Sequence, residues 1–266
     1  MHDRMTQWRS LALVGGLCIG TSLHASPTLA GDACATLGLG NAAAIHDLLA
    51  SALKGVAPNP GNTGGLGNQM WATIVDQDGV VCSVAFTGGT RIDQWPGSRV
   101  ISAQKANTAA SFNLPAGIGG TVDALSSANL WKQVQPGGTL FGLQFSNPVD
   151  PAVAYGNNAA LYGTAADPLV GRFVGGVNVF GGGLALYNQQ GQKVGGLGVS
   201  GDTSCADHNI AWLTRHALNL DFLTTGHVRG LSASPHQDNI IYNTSNPFGH
   251  PTCGFGEETK TLPPTQ

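Results

Sequence analysis

The chain has 266 residues and a formal net charge of −3, from 12 Lys and Arg against 15 Asp and Glu. Only 10% of its residues are charged and 39 are glycine, whereas an ordinary soluble domain carries about 25% charge. That balance excludes a nucleic-acid partner, which needs a basic face, and predicts a neutral surface partly covered by contacts between subunits of a homo-oligomer. In chain order, the first predicted element is a cleavable export signal over residues 1–30. Arg4 and Arg9 precede an apolar run from Leu11 to Leu23, shorter than the about 20 residues needed to cross a bilayer. Thr28-Leu29-Ala30 places small residues before Gly31, the expected start of the mature chain, with cleavage after Ala25 as the alternative. Gly, Asn, Asp or Pro interrupts every later hydrophobic run, so the mature chain is expected to be soluble, periplasmic or extracellular, with no membrane span.

Removing the leader lowers Lys and Arg to 10 and Asp and Glu to 14, a net charge of −4. It leaves Cys34, Cys82, Cys205 and Cys253, an even number in an oxidising compartment, which predicts two disulfides. Of the three pairings, Cys34 with Cys82 and Cys205 with Cys253 is preferred. No CxxC or CxxCH occurs, which argues against a zinc knuckle, a dithiol redox pair and attached c-type haem.

Ile45, Leu48, Leu49, Ala52, Leu53 and Val56 recur at helical spacing after Asn41, a good cap, and predict a helix from Asn41 to Lys54. Met70–Val75 and Val80–Phe86, joined by Asp76-Gln77-Asp78-Gly79, read as a hairpin. Pro96-Gly97-Ser98 caps a second helix, Arg99 to Phe112. A third is expected from Thr121 or Asp123 to about Val134, ended by Pro136-Gly137-Gly138, with a short strand over Leu140–Phe145. The Pro- and Asn-rich stretch of about 136–175 is too long for an ordinary connection and reads as an insertion that covers a site or an interface. Asn178–Leu186 and Lys193–Val199 flank Asn188-Gln189-Gln190-Gly191 as a second hairpin, and the last helix spans Ser204 to Leu218. After Asn219 the chain becomes an irregular tail, with Cys253 placed to pin it to Cys205. This order predicts an α+β domain over residues 31–218, an antiparallel sheet with helices packed on it, followed by a tail over 219–266.

Gly196-Leu197-Gly198-Val199-Ser200-Gly201 mimics a dinucleotide fingerprint, with Asp221 twenty residues on. Only 45 residues remain after Asp221, too few for the βαβ crossovers that such a unit needs, so the glycines read instead as close strand–helix packing. Gly181-Gly182-Gly183 lacks the Gly-Lys-Ser/Thr of a P-loop, and Ser200 lacks the spacing of a hydrolase elbow. None of His46, His208, His216, His227, His236 and His250 sits at a metal-binding spacing. His46 reads as a surface or packing residue beside the first helix. His208 and His216 lie on a helix that opens after a glycine turn, where backbone amides could face an anion. Lys105 is the one cation between Arg99 and Lys132 and is flanked by alanines. It is placed to hold a carboxylate ligand, to pair with Asp207, or to sit in solvent. Arg91, Asp93, Trp95 and Arg99 precede that helix as candidate cleft-rim residues.

Taken in order, VDQDGVVCSVAF, SAQKANTAASF and GGGLALYNQQGQKVGGLGVSGDTSCADHNIA resemble the GlcG/HbpS family of haem-binding and haem-degrading-type domains, over most of residues 41–218. The most specific elements are Lys105–Ala109 and Gly198-Val199-Ser200-Gly201 followed by Asp207. The resemblance implies a profilin- or PAS-like fold, assembly into oligomers, and haem, another tetrapyrrole or a small anionic ligand as the bound molecule. It makes Lys105 and Asp207 the matching polar residues and the Gly198–Gly201 turn the pocket floor, so that with Arg99 of the rim the ligand-binding candidates are Arg99, Lys105, Gly198, Ser200, Gly201 and Asp207. The expected function is haem capture or sensing outside the cytoplasm, with propionates held by charge and His208 or His216 as axial ligand. The alternatives are a small-molecule enzyme or accessory subunit acting on a hydroxy acid or tetrapyrrole, with Lys105 and Asp207 as acid/base pair, and a non-catalytic sensor or scaffold.

Overall fold

The computed structural model describes residues 34–113, 122–156, 158–223, 228–232 and 235–266. The expected leader, its cleavage points and His227 lie outside the described residues. Helix α1 is Ala42–Val56. Ile45, Leu49 and Leu53 recur every four residues and are buried together, and the Asn41 side chain accepts the Ala44 N–H at 3.0 Å to open the helix. Strands β1 (Trp71–Asp76) and β2 (Val81–Phe86) form the first hairpin. Asp76 Oδ1 ties its turn by accepting the N–H groups of Asp78 and Val80 at 3.0 and 2.9 Å, and Gly79 takes the left-handed φ of +94° that the turn requires.

Helix α2 is Ser98–Ser111, β3 Val122–Ala124, β4 Gly183–Tyr187, β5 Lys193–Ser200, α3 Ser204–Ala217 and β6 Val228–Gly230. Four strands make one antiparallel sheet in the order β2-β1-β5-β4, while β3 and β6 pair separately and in parallel. The architecture is α+β, with α2 on one face of the sheet and α1 and α3 on the other. Side-chain alternation along the strands supplies both cores. Ala72, Ile74, Leu184, Leu186, Leu197 and Val199 pack with Ile45, Leu49, Ile210 and Trp212. Trp71, Val75, Val81 and Val84 turn the other way, onto Val100, Ala103, Ala106 and Ala110 of α2 and onto Val153, Leu169 and Val174 of the long connection.

That connection lies alongside the hairpin. Gly171 N–H donates to the Val81 carbonyl at 2.8 Å, and Val81 N–H donates to the Arg172 carbonyl at 3.0 Å. It encloses α2 between itself and the sheet, which is why α2 is buried around most of its circumference and why half of its residues are Ser or Ala. Beneath α2, β5 presents Gly196 and Gly198. A Cβ on Gly198 would collide with the Ser102 carbonyl and come within 2.5 Å of the Ala106 nitrogen, so the bare strand lets the helix backbone rest directly on the sheet.

Two expected elements are replaced. The third helix, expected from Thr121 or Asp123 to Val134, is instead β3 followed by two 3-10 turns, Ser127–Leu130 and Lys132–Val134. Asn129 Oδ1 accepts both the Ser126 N–H at 2.8 Å and its hydroxyl at 3.0 Å, and these local side-chain bonds hold the tight turn in place of an α-helix. The strand expected over Leu140–Phe145 is a turn and a short helix, Leu143–Ser146, bracketed by Gly137 and Gly142 at φ +85° and +96°; Phe141 and Phe145 stay exposed, with no strand beside them. The second hairpin opens at Gly183 rather than Asn178, because Gly181 and Gly182 thread a narrow passage against Ser204, His208 and Asp207 where no side chain fits.

Disulfides join Cys34 to Cys82 and Cys205 to Cys253, each spanning 48 residues. Among the described residues no helix is long and apolar enough to cross a membrane.

Candidate functional site

The glycines of β4 and β5 bring α2 close enough to the start of α3 for one side chain to bridge them. Lys105, on α2, reaches the end of β5, where its Nζ donates to the Val199 carbonyl at 3.0 Å and to Asp207 Oδ2 at 2.6 Å. Asp207 Oδ1 accepts the Asp202 N–H at 2.8 Å. Both side chains are buried, Lys105 completely. Burial drives each toward its neutral form: the Lys105 pKa is lowered and that of Asp207 is pushed up to about 6, with the attraction between the two opposing both shifts.

Asp207 forms part of the wall of an open pocket of about 250 Å³. Trp95, Ile101 and Phe180 make its apolar side, and Ser98, Ser200, Ser204, Asp202 and Asp207 its polar side. Trp95 and Phe180 stand 59% and 48% exposed at the rim, apolar surface that a molecule in the pocket would cover. Asp202 is occupied structurally: its carboxylate accepts N–H groups of Leu66, Asn68 and Thr203 at 2.8, 3.0 and 2.7 Å.

Of the candidates read from the sequence, Lys105, Asp207 and Ser200 meet at or behind this pocket, and Trp95 is its rim. Gly198 lies under α2 rather than on the floor, and Gly201, at φ +154°, closes against Gln69 and Met70. Arg99 points away: both its Nε and Nη2 donate to Asp167 of the long connection, Nη1 donates to the Ala154 carbonyl at 3.2 Å, and the guanidinium stacks 3.6 Å from the Tyr162 ring centre. Buried and held by these partners, it lies outside the pocket lining. His208 Nε2 lies 3.0 Å from Asn239 Oδ1 and 3.1 Å from the Ile240 N–H, and burial pushes its pKa down to about 4. His216, two turns further along α3, pairs with Asp221 at 2.7 Å. Neither histidine lines the pocket. His46 bonds the Gly163 carbonyl at 3.1 Å.

Sequence reasoning missed Ser98, Ile101, Phe180, Ser204 and His250. The signal for Phe180 and Ser204 was Gly181-Gly182-Gly183, since a triple glycine marks a place where backbones press together. Cys205, His250 and Cys253 cluster within 4.8 Å, but as a disulfide the two sulfurs are not the thiolates that a metal would take.

The fold is an α+β domain built on one four-stranded antiparallel sheet, with an open pocket beside the Lys105–Asp207 pair. The chain matches the family described as haem degrading protein HbpS-like over residues 49–214, from α1 to the last turn of α3, and it belongs to that family. No curated protein matches it. Among solved structures it is similar to a PduOC:haem complex (24% identity, TM-score 0.42, covering 65% of this chain and 91% of that one) and to Klebsiella pneumoniae protein ORFY (20%, 0.41, 65% and 86%). It is also similar to a double mutant of Streptomyces reticuli HbpS (17%, 0.39, 80% and 99%).

Proposed function

We propose that this chain is an extracytoplasmic haem-binding protein that captures or senses haem, with the pocket between α2 and the start of α3 as the seat. Family membership supports the ligand class, and two disulfides support the address. The observation that carries the reading is the pocket's two-sided chemistry. Trp95, Ile101 and Phe180 offer an apolar wall to a macrocycle, and the hydroxyls of Ser98 and Ser200 can donate to carboxylates. Charge does not do this, because Lys105 is enclosed and neutralised by Asp207.

The pocket residues suit the edge and face of haem, and none of them is a His, Cys or Met. His208 and His216 therefore no longer stand as axial ligands in this reading, and the macrocycle is held through its periphery. Bound haem would supply the iron chemistry, while the chain's own side chains bind the rim and shield one face from water. Exposed Phe141, Phe145, Tyr155 and Phe173 of the long connection favour assembly into a homo-oligomer.

Haem titration followed in the Soret band tests the proposal. Trp95→Ala and Phe180→Ala should each weaken binding about 10- to 100-fold, while His208→Ala and His216→Ala leave the band position unchanged. No Soret change with the wild-type protein would overturn it. A second reading, proton transfer on a hydroxy acid, is favoured by the placement of Asp207 at the pocket with its pKa pushed up to about 6. It requires turnover by haem-free protein that Asp207→Asn abolishes.

A further inference from the structure

We propose that Ser204 and His250 form an acyl-transfer pair, with Ser204 the nucleophile toward small neutral carboxylic esters that enter the same pocket. Ser204 Oγ lies 2.9 Å from His250 Nε2. The other ring nitrogen, Nδ1, is 2.6 Å from the Pro251 carbonyl oxygen. A carbonyl only accepts, so Nδ1 carries the proton and Nε2 presents its lone pair to the serine hydroxyl. This is the arrangement of a nucleophile, a base and an orienting third group.

The histidine is fixed in place. It is 3% exposed, its ring lies against Trp131 with centres 5.6 Å apart, its N–H donates to the Ile241 carbonyl at 2.8 Å, and the Cys205–Cys253 disulfide anchors the segment three residues on. Burial lowers its pKa, which keeps it in the neutral form that a base needs near pH 7. Ser204 Oγ also accepts the Gly181 N–H at 2.7 Å, a bond that strengthens as the oxygen gains negative charge. As the first residue of the 14-residue helix α3, Ser204 stands at its positive end. The apolar side formed by Trp95, Ile101 and Phe180 suits an acyl or aryl group.

The step balances within the protein. Ser204 Oγ attacks the ester carbonyl carbon as its proton passes to His250 Nε2. The C–O bond to the alcohol breaks and the leaving alkoxide takes that proton. Water then attacks the acyl-serine, gives a proton to Nε2, and releases the carboxylic acid while the proton returns to Oγ.

The test is labelling of the disulfide-intact protein with a fluorophosphonate probe, followed by peptide mass analysis and by p-nitrophenyl acetate hydrolysis. The expected result is a phosphonyl adduct on Ser204, lost in Ser204→Ala and retained in Ser245→Ala, an exposed serine of the tail. His250→Gln should slow labelling by about 10²- to 10⁴-fold while its thermal unfolding stays cooperative. If Ser204→Ala does not fold, Ser204→Cys, alkylated by iodoacetamide faster in the presence of His250 than in Ser204→Cys/His250→Gln, decides the same point. Absence of an adduct on Ser204, or an undiminished rate in His250→Gln, overturns the proposal whether or not haem binds.

Discussion

Replacing Gly198 by alanine adds a single methyl group where α2 rests on β5, and its cost can be worked from the geometry. The new Cβ would collide with the Ser102 carbonyl and stand 2.5 Å from the Ala106 nitrogen and 3.0 Å from Lys105 Cβ, where 3.4 Å is ordinary contact. Two of the three obstacles are backbone atoms, the third is tied directly to the backbone, and the helix is enclosed on its far side, so no rotamer change relieves them; α2 must lift by about 1 Å. Overpacking of this kind costs about 3 kcal/mol, the upper end of the usual range. For a domain of this size that lowers Tm by about 6–12 °C. Gly55, exposed in the last turn of α1 with nothing within 4 Å of an added Cβ, supplies the control of opposite sign. Gly55→Ala should stabilise by about 0.5–1 kcal/mol. Differential scanning calorimetry of both variants is the assay. A Gly198→Ala protein that melts within about 2 °C of wild type would refute the claim that bare strand and helix backbone are in contact.

Lys105→Met strands the Asp207 carboxylate in the interior and should cost about 3–5 kcal/mol in urea unfolding, whereas Lys105→Met/Asp207→Asn recovers about 1–3 kcal/mol of that; strict additivity would deny the pairing. His208 is held neutral with its pKa near 4, against 6.5 when unfolded. The unfolded chain therefore binds the extra proton between these values, and His208 contributes stability above pH 6.5 that is lost as pH falls toward 4, about 3 kcal/mol in all. Raised Asp207 opposes that slope, so the quantity to measure is wild type minus His208→Gln at about pH 7 and pH 4.5, and equal slopes for the two proteins would rule the effect out. Cys205→Ser/Cys253→Ser opens a loop of 48 residues and should lower the guanidinium unfolding free energy by about 4 kcal/mol; no loss would mean that the tail is held by packing alone.

The parts of this molecule that could be read in advance are those in which neighbours in sequence determine the outcome. Ile45, Leu49 and Leu53 announce α1 by their spacing, Asp76 and Gly79 announce the first turn, and the glycines of β5 announce close packing. Lys105 and Asp207, 102 positions apart, were among the pairings that an isolated cation in an alanine-rich helix suggested. Arg99 shows why other residues were not legible: its partner Asp167 lies in a stretch with no periodicity, so nothing in the sequence places it opposite α2. The same holds for His208 with Asn239 and for Ser204 with His250, whose partners belong to the irregular tail. The expected third helix rested on its end signals alone, Thr121 or Asp123 and Pro136-Gly137-Gly138, and the Ser126–Asn129 bonds between them hold a tight turn instead.

Among the four bonded cysteines, each disulfide joins one to the next along the chain, Cys34 to Cys82 and then Cys205 to Cys253, with neither loop enclosing or interleaving with the other. For a polypeptide delivered N-terminus first into an oxidising compartment, each thiol would meet its correct partner as the next to arrive. Pairing in order of arrival would then yield the final connectivity without reshuffling.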